Sequence, residues 1–174
     1  MTRFIRRLAA NQAGASAVEF ALILPIFFLL HIGAADALQA YVAQRNVSHI
    51  AATMADITAR GRTVTQAELN DILAASVSMM HPLPNVRLQQ RVSSMTANAS
   101  GVVGNPDWTT SKDFTDPAAP AVPSGYLGAN ESVIVTDVIY DYKPMFGLFM
   151  PDTIRFTRHA YVRPRLSTKV EMAS

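Results

Sequence analysis

The sequence predicts an α+β chain: a long N-terminal helix that crosses a membrane and then packs on a small antiparallel sheet. Three observations carry this reading. Residues Phe20–Ala35 contain no charged side chain, with His taken as neutral. Beyond them Val47, Ile50, Met54 and Ile57 recur at spacings of three and four with small Ala between, the period of a helix with one apolar stripe. Three later segments alternate in polarity or are rich in β-branched residues, the signature of strands.

Composition bounds the answer. A length of 174 residues fits one domain, or one domain plus an appendage. At 49% hydrophobic and 16% charged, the chain has the opposite balance from a disordered one. A single strongly apolar stretch also excludes a multi-span transporter. The formal charge of +2 hides a pattern. Residues 1–14 hold three Arg and no acid, 15–142 hold six basic and eleven acidic side chains, and 143–174 hold six basic and two acidic. No single basic surface follows, so nucleic-acid binding gets little support. The absence of Cys excludes disulfides, thiolate metal sites and a Cys nucleophile.

The first helix sets the membrane reading. The uncharged run Phe20–Ala35 would rise about 24 Å at ~1.5 Å per residue, short of a ~30 Å hydrocarbon core. Adding Ala15–Glu19 makes it long enough. Arg3, Arg6 and Arg7 precede it, and after Asp36 the next basic residue is Arg45. The positive-inside bias therefore puts the N-terminus in the cytoplasm and the rest outside. An ordinary single-pass anchor would look like this. So would a cleaved signal peptide, with Ala35-Asp36-Ala37 as its A-x-A site and a mature start at Leu38. Glu19 opens a third reading, because a carboxylate at the head of an apolar helix is costly in lipid and needs a partner.

The residues around Glu19 bear on the choice. A short basic leader ends at Gly14, four residues follow, and Glu19-Phe20 then heads the apolar helix with Leu24-Pro25-Ile26-Phe27 inside it. This arrangement resembles the prepilin-peptidase site of type IV pilins in its Glu-aromatic form. Over residues 1–45 the chain looks most like the TadE-like pseudopilin family of the Tad/Flp pilus. The resemblance implies a pilin-like fold and leader removal between Gly14 and Ala15. It gives Glu19 and Phe20 an assembly role, Glu19 meeting the amine of a neighbouring subunit. It implies a leader of residues 1–14, a transmembrane helix of 15–41 and an extracytoplasmic α+β domain of 42–174. The expected setting is the cytoplasmic membrane, and the expected partners are the membrane, a prepilin peptidase and other pilin or pseudopilin subunits. The chain length argues against the main pilus subunit and for a minor pilin. A type II secretion pseudopilin and a secreted or anchored binding domain are the alternatives. Ala15 and Glu19 stand about one helical turn apart on the same face.

The remainder of the chain reads as a head. Arg60-Gly61 is a helix stop, so the first helix should run from about Ala15 to Ala59. Thr65-Gln66-Ala67-Glu68 is a capping box opening a second helix, with Leu69, Ile72, Leu73, Val77 and Met80 on one face and His81-Pro82 closing it. Val86, Leu88, Gln90 and Val92 alternate with Arg87, Gln89 and Arg91, a strand with one wet face. Residues 131–142 are rich in β-branched residues. Residues 153–162 alternate with one member out of phase. Between strands, 101–128 holds four Pro and four Gly and reads as a long surface loop rather than a strand. Trp108 in it is expected to plug back onto the sheet. Asp107, Asp113 and Asp116 read as solvated carboxylates rather than a Ca²⁺ site. The apolar loop 144–151 is expected in the core, with the membrane surface or a partner as alternatives. Arg155, Arg158, Arg163, Arg165 and Lys169 form a basic tail that reads as a solvated edge. Pro25 is a tolerated membrane proline or a bend, and His31 a neutral His in the apolar run.

No catalytic constellation appears. Phosphate loops, dinucleotide fingerprints and zinc-protease motifs are missing. His31, His49, His81 and His159 lack ligand spacing. The sequence therefore predicts a structural protein rather than an enzyme, with no cofactor and no metal.

Overall fold

The computed structural model describes residues 14–173. Most of the leader, with Arg3, Arg6 and Arg7, lies outside the described residues. Helix α1 is Ala15–Thr58, 44 residues long, one residue shorter than the sequence suggests. Its end is closed by Ala59 N–H donating to Ala55 O and by Arg60 N–H to Ile57 O. Gly61 follows because the chain doubles back tightly: a Cβ there would stand 2.7 Å from Thr63 O.

A short strand β1 (Thr63–Thr65) leads into α2 (Gln66–Val77). The predicted capping box is present, with Glu68 N–H donating to Thr65 Oγ1 and Thr65 N–H to the Glu68 carboxylate. A single 3₁₀ turn, Ser78–Met80, ends it. Leu69, Leu73 and Met80 are buried from this segment.

Strands β2 (Leu88–Thr96), β3 (Trp108–Lys112), β4 (Ser132–Tyr142) and β5 (Ile154–Val162) form one antiparallel sheet in the order β3-β2-β4-β5. The register aligns Val92 with Thr136 and Thr136 with Ala160. One face of this sheet therefore carries Leu88, Val92, Ile134, Val138, Tyr140 and Tyr142, all in the main core with the second half of α1. A three-residue strand β6 (Glu171–Ala173) pairs in parallel with β1. This is the predicted α+β architecture of a long apolar helix on a small sheet.

The buried residues of α1 are Asp36, Ala40, Ala43, Val47, Ile50, Ala51, Met54, Ala55 and Thr58. They follow the helical period and include four alanines, which let the helix approach the sheet closely. Thr136 Oγ1 donates to Ala51 O at 2.8 Å across that contact. Ile57 is not in the stripe. At 43% exposed it faces the groove between α1 and α2, and Thr58 takes the buried place four residues after Met54.

Three further sequence expectations need correction, and a fourth is made specific. The loop 101–128 contains a strand after all: β3 docks on β2 with Trp108 opposite Ser94. Trp108 does plug back onto the core, and its indole N–H donates to Val170 O at 2.9 Å. The far side of the sheet is not a wet face. Met95, Val133 and Val135 are buried there beside Tyr161 of β5 and under Val122 and Leu127, because the long loop folds back across them. In β5 the residue out of phase is Arg158. It lies on the helix side of an unbroken strand and donates to Ser48 Oγ at 3.0 Å. Finally, most of the loop 144–151 stays out of the core. Met145, Phe146, Leu148 and Phe149 are 52–68% exposed; only Pro144 is buried, with Gly147 and Met150 half-buried.

Candidate functional site

The first half of α1 stands free of the head. None of its residues before Asp36 is buried, and Val18, Phe20, Leu22, Ile23, Ile26, Phe27, Phe28 and Leu30 are all more than half exposed. So apolar a surface needs an apolar surrounding, and this is the one described helix long and apolar enough to cross a membrane. Pro25 does not interrupt it. Its ring replaces one donor, and the helix runs on to Thr58, about nine more turns. His31 stacks on Phe27 one turn earlier, with ring centroids 6.1 Å apart.

Gly14, Ala15, Glu19 and Phe20 lie together at the tip of this helix, all exposed. Gly14 is the N-cap and makes no side-chain cap bond. The space around it is open, since a Cβ added there would meet nothing within 4 Å. The helix begins at Ala15, which puts Glu19 on the adjoining turn of the same face. Among the described residues Glu19 has no ion pair.

A second cluster forms where the bare helix meets the head, and sequence reasoning missed it. Asp36 is 2% exposed. Its carboxylate accepts three backbone N–H groups, from Met145 (3.1 Å), Phe146 (3.2 Å) and Gly147 (2.9 Å). Its backbone carbonyl accepts the Tyr142 hydroxyl. Gly147 has φ +66°, a left-handed conformation that Gly adopts without penalty, and this lets successive N–H groups converge on one anion. One turn earlier Gly33 faces the Phe149 ring, where a Cβ would lie 3.1 Å from Phe149 Cδ2. Asp36 reads in sequence as the first charge beyond the apolar run. The available signal was its place at the head of the buried stripe, four residues before Ala40.

On the other face of the sheet Asp137, also 2% exposed, accepts Arg91 Nε at 2.8 Å and pairs with His159 Nδ1 at 2.7 Å. Arg91 stacks over Phe114 and donates to Ala118 O. The cluster fastens the long loop to the sheet. Asp107 is bound by the Thr96 hydroxyl and Asp116 by its own Ala118 N–H, so these carboxylates are spread along the loop. Among the described residues no group of three His, Asp or Glu is placed to hold a metal ion.

The basic tail is not a free patch. Arg155 pairs with Asp141, Arg163 with Glu131, Arg165 with Asp56 and Lys169 with Glu171. The Arg155 guanidinium holds the Asp141 carboxyl below its ordinary range. A side-chain bond from Arg60, with the charge of Arg165 behind it, does the same for Asp56.

Residues 14–56 match the family model of TadE-like proteins. The match begins at the small residue before the apolar helix and stops two residues before α1 ends. It takes in the bare half of α1, Asp36 and most of the buried stripe, and it leaves out every strand. It agrees with the resemblance drawn from Gly14 and Glu19-Phe20. No protein of curated function and no solved structure matches the chain.

Proposed function

We propose that this protein is a minor pilin or pseudopilin needed for assembly of a Tad-type pilus. It is cut after Gly14 by a prepilin peptidase and held in the cytoplasmic membrane by the first half of α1, with its head outside. The observation that carries this reading is one uninterrupted helix with two unlike halves. The first half offers lipid or neighbouring helices an apolar surface on every side. The second is packed on a folded head through its buried stripe. A helix of that kind can pass from bilayer to filament without refolding. The role is structural rather than enzymatic.

The N-terminal motif supplies the register. Cleavage would place a cationic amine on Ala15 at the positive end of the helix. A carboxylate one turn away on a neighbouring subunit would attract it, more strongly in a low-dielectric surrounding than in water. Glu19 is the residue for that pairing, and Phe20 beside it adds apolar contact. The signal-peptide alternative is less well supported, because a cut after Ala37 would sever α1 in mid-helix and strip Asp36 from the loop it holds.

N-terminal peptide mass analysis of the membrane-bound protein tests the proposal. A mature chain starting at Ala15 is expected. A start at Met1 or Thr2 would make the protein a plain anchor, and a start at Leu38 a secreted domain.

A further inference from the structure

We propose that the β4–β5 loop, residues 144–150, is a second membrane contact, which sets Phe146, Leu148 and Phe149 into the bilayer interface beside α1. The inference rests on α1 being a membrane span. It does not depend on processing or on pilus assembly.

Met145, Phe146, Leu148 and Phe149 are 68%, 52%, 56% and 65% exposed. Four large apolar side chains within five residues form a patch that a soluble surface would hide. A floppy loop could be ignored, but this one is fixed. The buried Asp36 carboxylate takes three successive backbone N–H groups from it, and Pro144 is buried beneath. The backbone is turned inward and the apolar side chains outward, the reverse of what folding in water favours.

Position identifies the occupant. The loop is held at Asp36 and touches Gly33 through Phe149, so it lies level with the end of the uncharged run Phe20–Ala35. From Glu19 to Gly33 the helix rises about 21 Å, still within a ~30 Å hydrocarbon core if Glu19 marks the opposite boundary. The uncharged run alone falls about 6 Å short of that core, and the loop adds apolar surface at the end where the shortfall lies. Asp36 would be a costly charge at this depth on a bare helix. Here the loop encloses it. Lys143 and Asp152, both exposed, bracket the apolar stretch and keep the charges at its base. Apolar residues at such a boundary sit some 5–10 Å into the headgroup and acyl region. The lipid-facing surface of α1 and the loop are therefore one continuous apolar surface, and lipid is the chemistry that fits it.

The natural absence of Cys makes a background-free test available. Single variants Phe146→Cys, Leu148→Cys and Phe149→Cys carry a nitroxide label in the full chain. The chain is reconstituted in vesicles of phosphatidylethanolamine with phosphatidylglycerol. Leu22→Cys in the span and Ser124→Cys, on the loop over the opposite end of β4, are the references. Access to dissolved oxygen and to a water-soluble nickel chelate is read by power saturation. The loop labels should lose chelate access and gain oxygen access relative to Ser124, approaching Leu22. Loop labels as open to the chelate as Ser124, beside a lipid-exposed Leu22, would overturn the proposal while leaving the span intact. If Leu22 is also open, the span reading fails and the loop reading fails with it. Loss of chelate access only after other pilus subunits are added would overturn it in favour of a protein partner. All three labelled positions are more than half exposed, so the labels do not burden the core.

Discussion

Replacing Asp36 with Asn tests whether one carboxylate joins the membrane helix to the head. In the native protein Oδ1 accepts Met145 and Phe146 N–H, and Oδ2 accepts Gly147 N–H at 2.9 Å. Asn keeps one oxygen, so two of the three bonds survive, now to a neutral acceptor. The third position becomes an NH₂ that faces the Gly147 donor. A hydrogen bond to a charged group contributes about 1.5–3 kcal/mol, and neutral bonds are roughly half as strong as charge-assisted ones. At 2% exposure little of this is screened by water, although a freed loop can hydrate its own N–H groups. We therefore expect a cost of about 3 kcal/mol, falling on the loop. Tenfold per 1.4 kcal/mol converts this to roughly 10²-fold faster amide exchange at Met145–Gly147. Hydrogen exchange by mass spectrometry on the detergent-solubilised full chain measures it. Denaturant unfolding followed through Trp108, the single Trp, reports the head separately. Unchanged exchange across 145–147 would show that the carboxylate does not anchor the loop, and the reasoning would fail.

Four further outcomes are expected. Gly14→Leu should block maturation yet leave membrane insertion intact, because the obstruction is at the cut and not in the apolar helix; a normal Ala15 start in this variant, read by intact mass, would contradict prepilin-type processing. Glu19→Gln should be cleaved and membrane-bound but capture fewer partner subunits on cross-linking and support fewer surface pili, with equal capture and pilus number counting against the amine pairing. Ala51→Leu should destabilise the head by at least 1–3 kcal/mol, the usual cost of overpacking, since Ala51 is 1% exposed and its carbonyl accepts Thr136; denaturant midpoints measure this. Glu68 is held below its ordinary range by the Thr65 N–H and hydroxyl. A depressed acid stabilises above its unfolded value and loses that contribution as pH falls through the lowered one, so the capped end of α2 should weaken on acidification below about pH 4.5. Glu68→Gln should remove that part of the pH dependence in thermal unfolding curves.

The helix and its two unlike halves are written in local sequence. An uncharged run after a basic leader, Gly14 before Glu19-Phe20, and a stripe continuing through Val47, Ile50 and Met54 are local patterns. Each is legible because helical period, membrane cost and a short motif depend on neighbours in the chain. The capping box at Thr65–Glu68 and the β-branched strand before Tyr142 were legible for the same reason. Where the loops go depends on contacts far apart in the chain. Nothing near residue 108 says that Trp108 will reach Val170, or that β3 will find β2 from within a Pro- and Gly-rich stretch. The outer sheet face looked wet because alternation reports one strand's pattern and not what folds over it. The apolar loop looked like core because hydrophobicity does not tell a buried segment from an exposed apolar one. What separates the two here is a bond between residues 36 and 147. A buried carboxylate on the helix holds the loop's backbone and turns its Phe and Leu side chains outward, toward the same medium that surrounds the first half of α1.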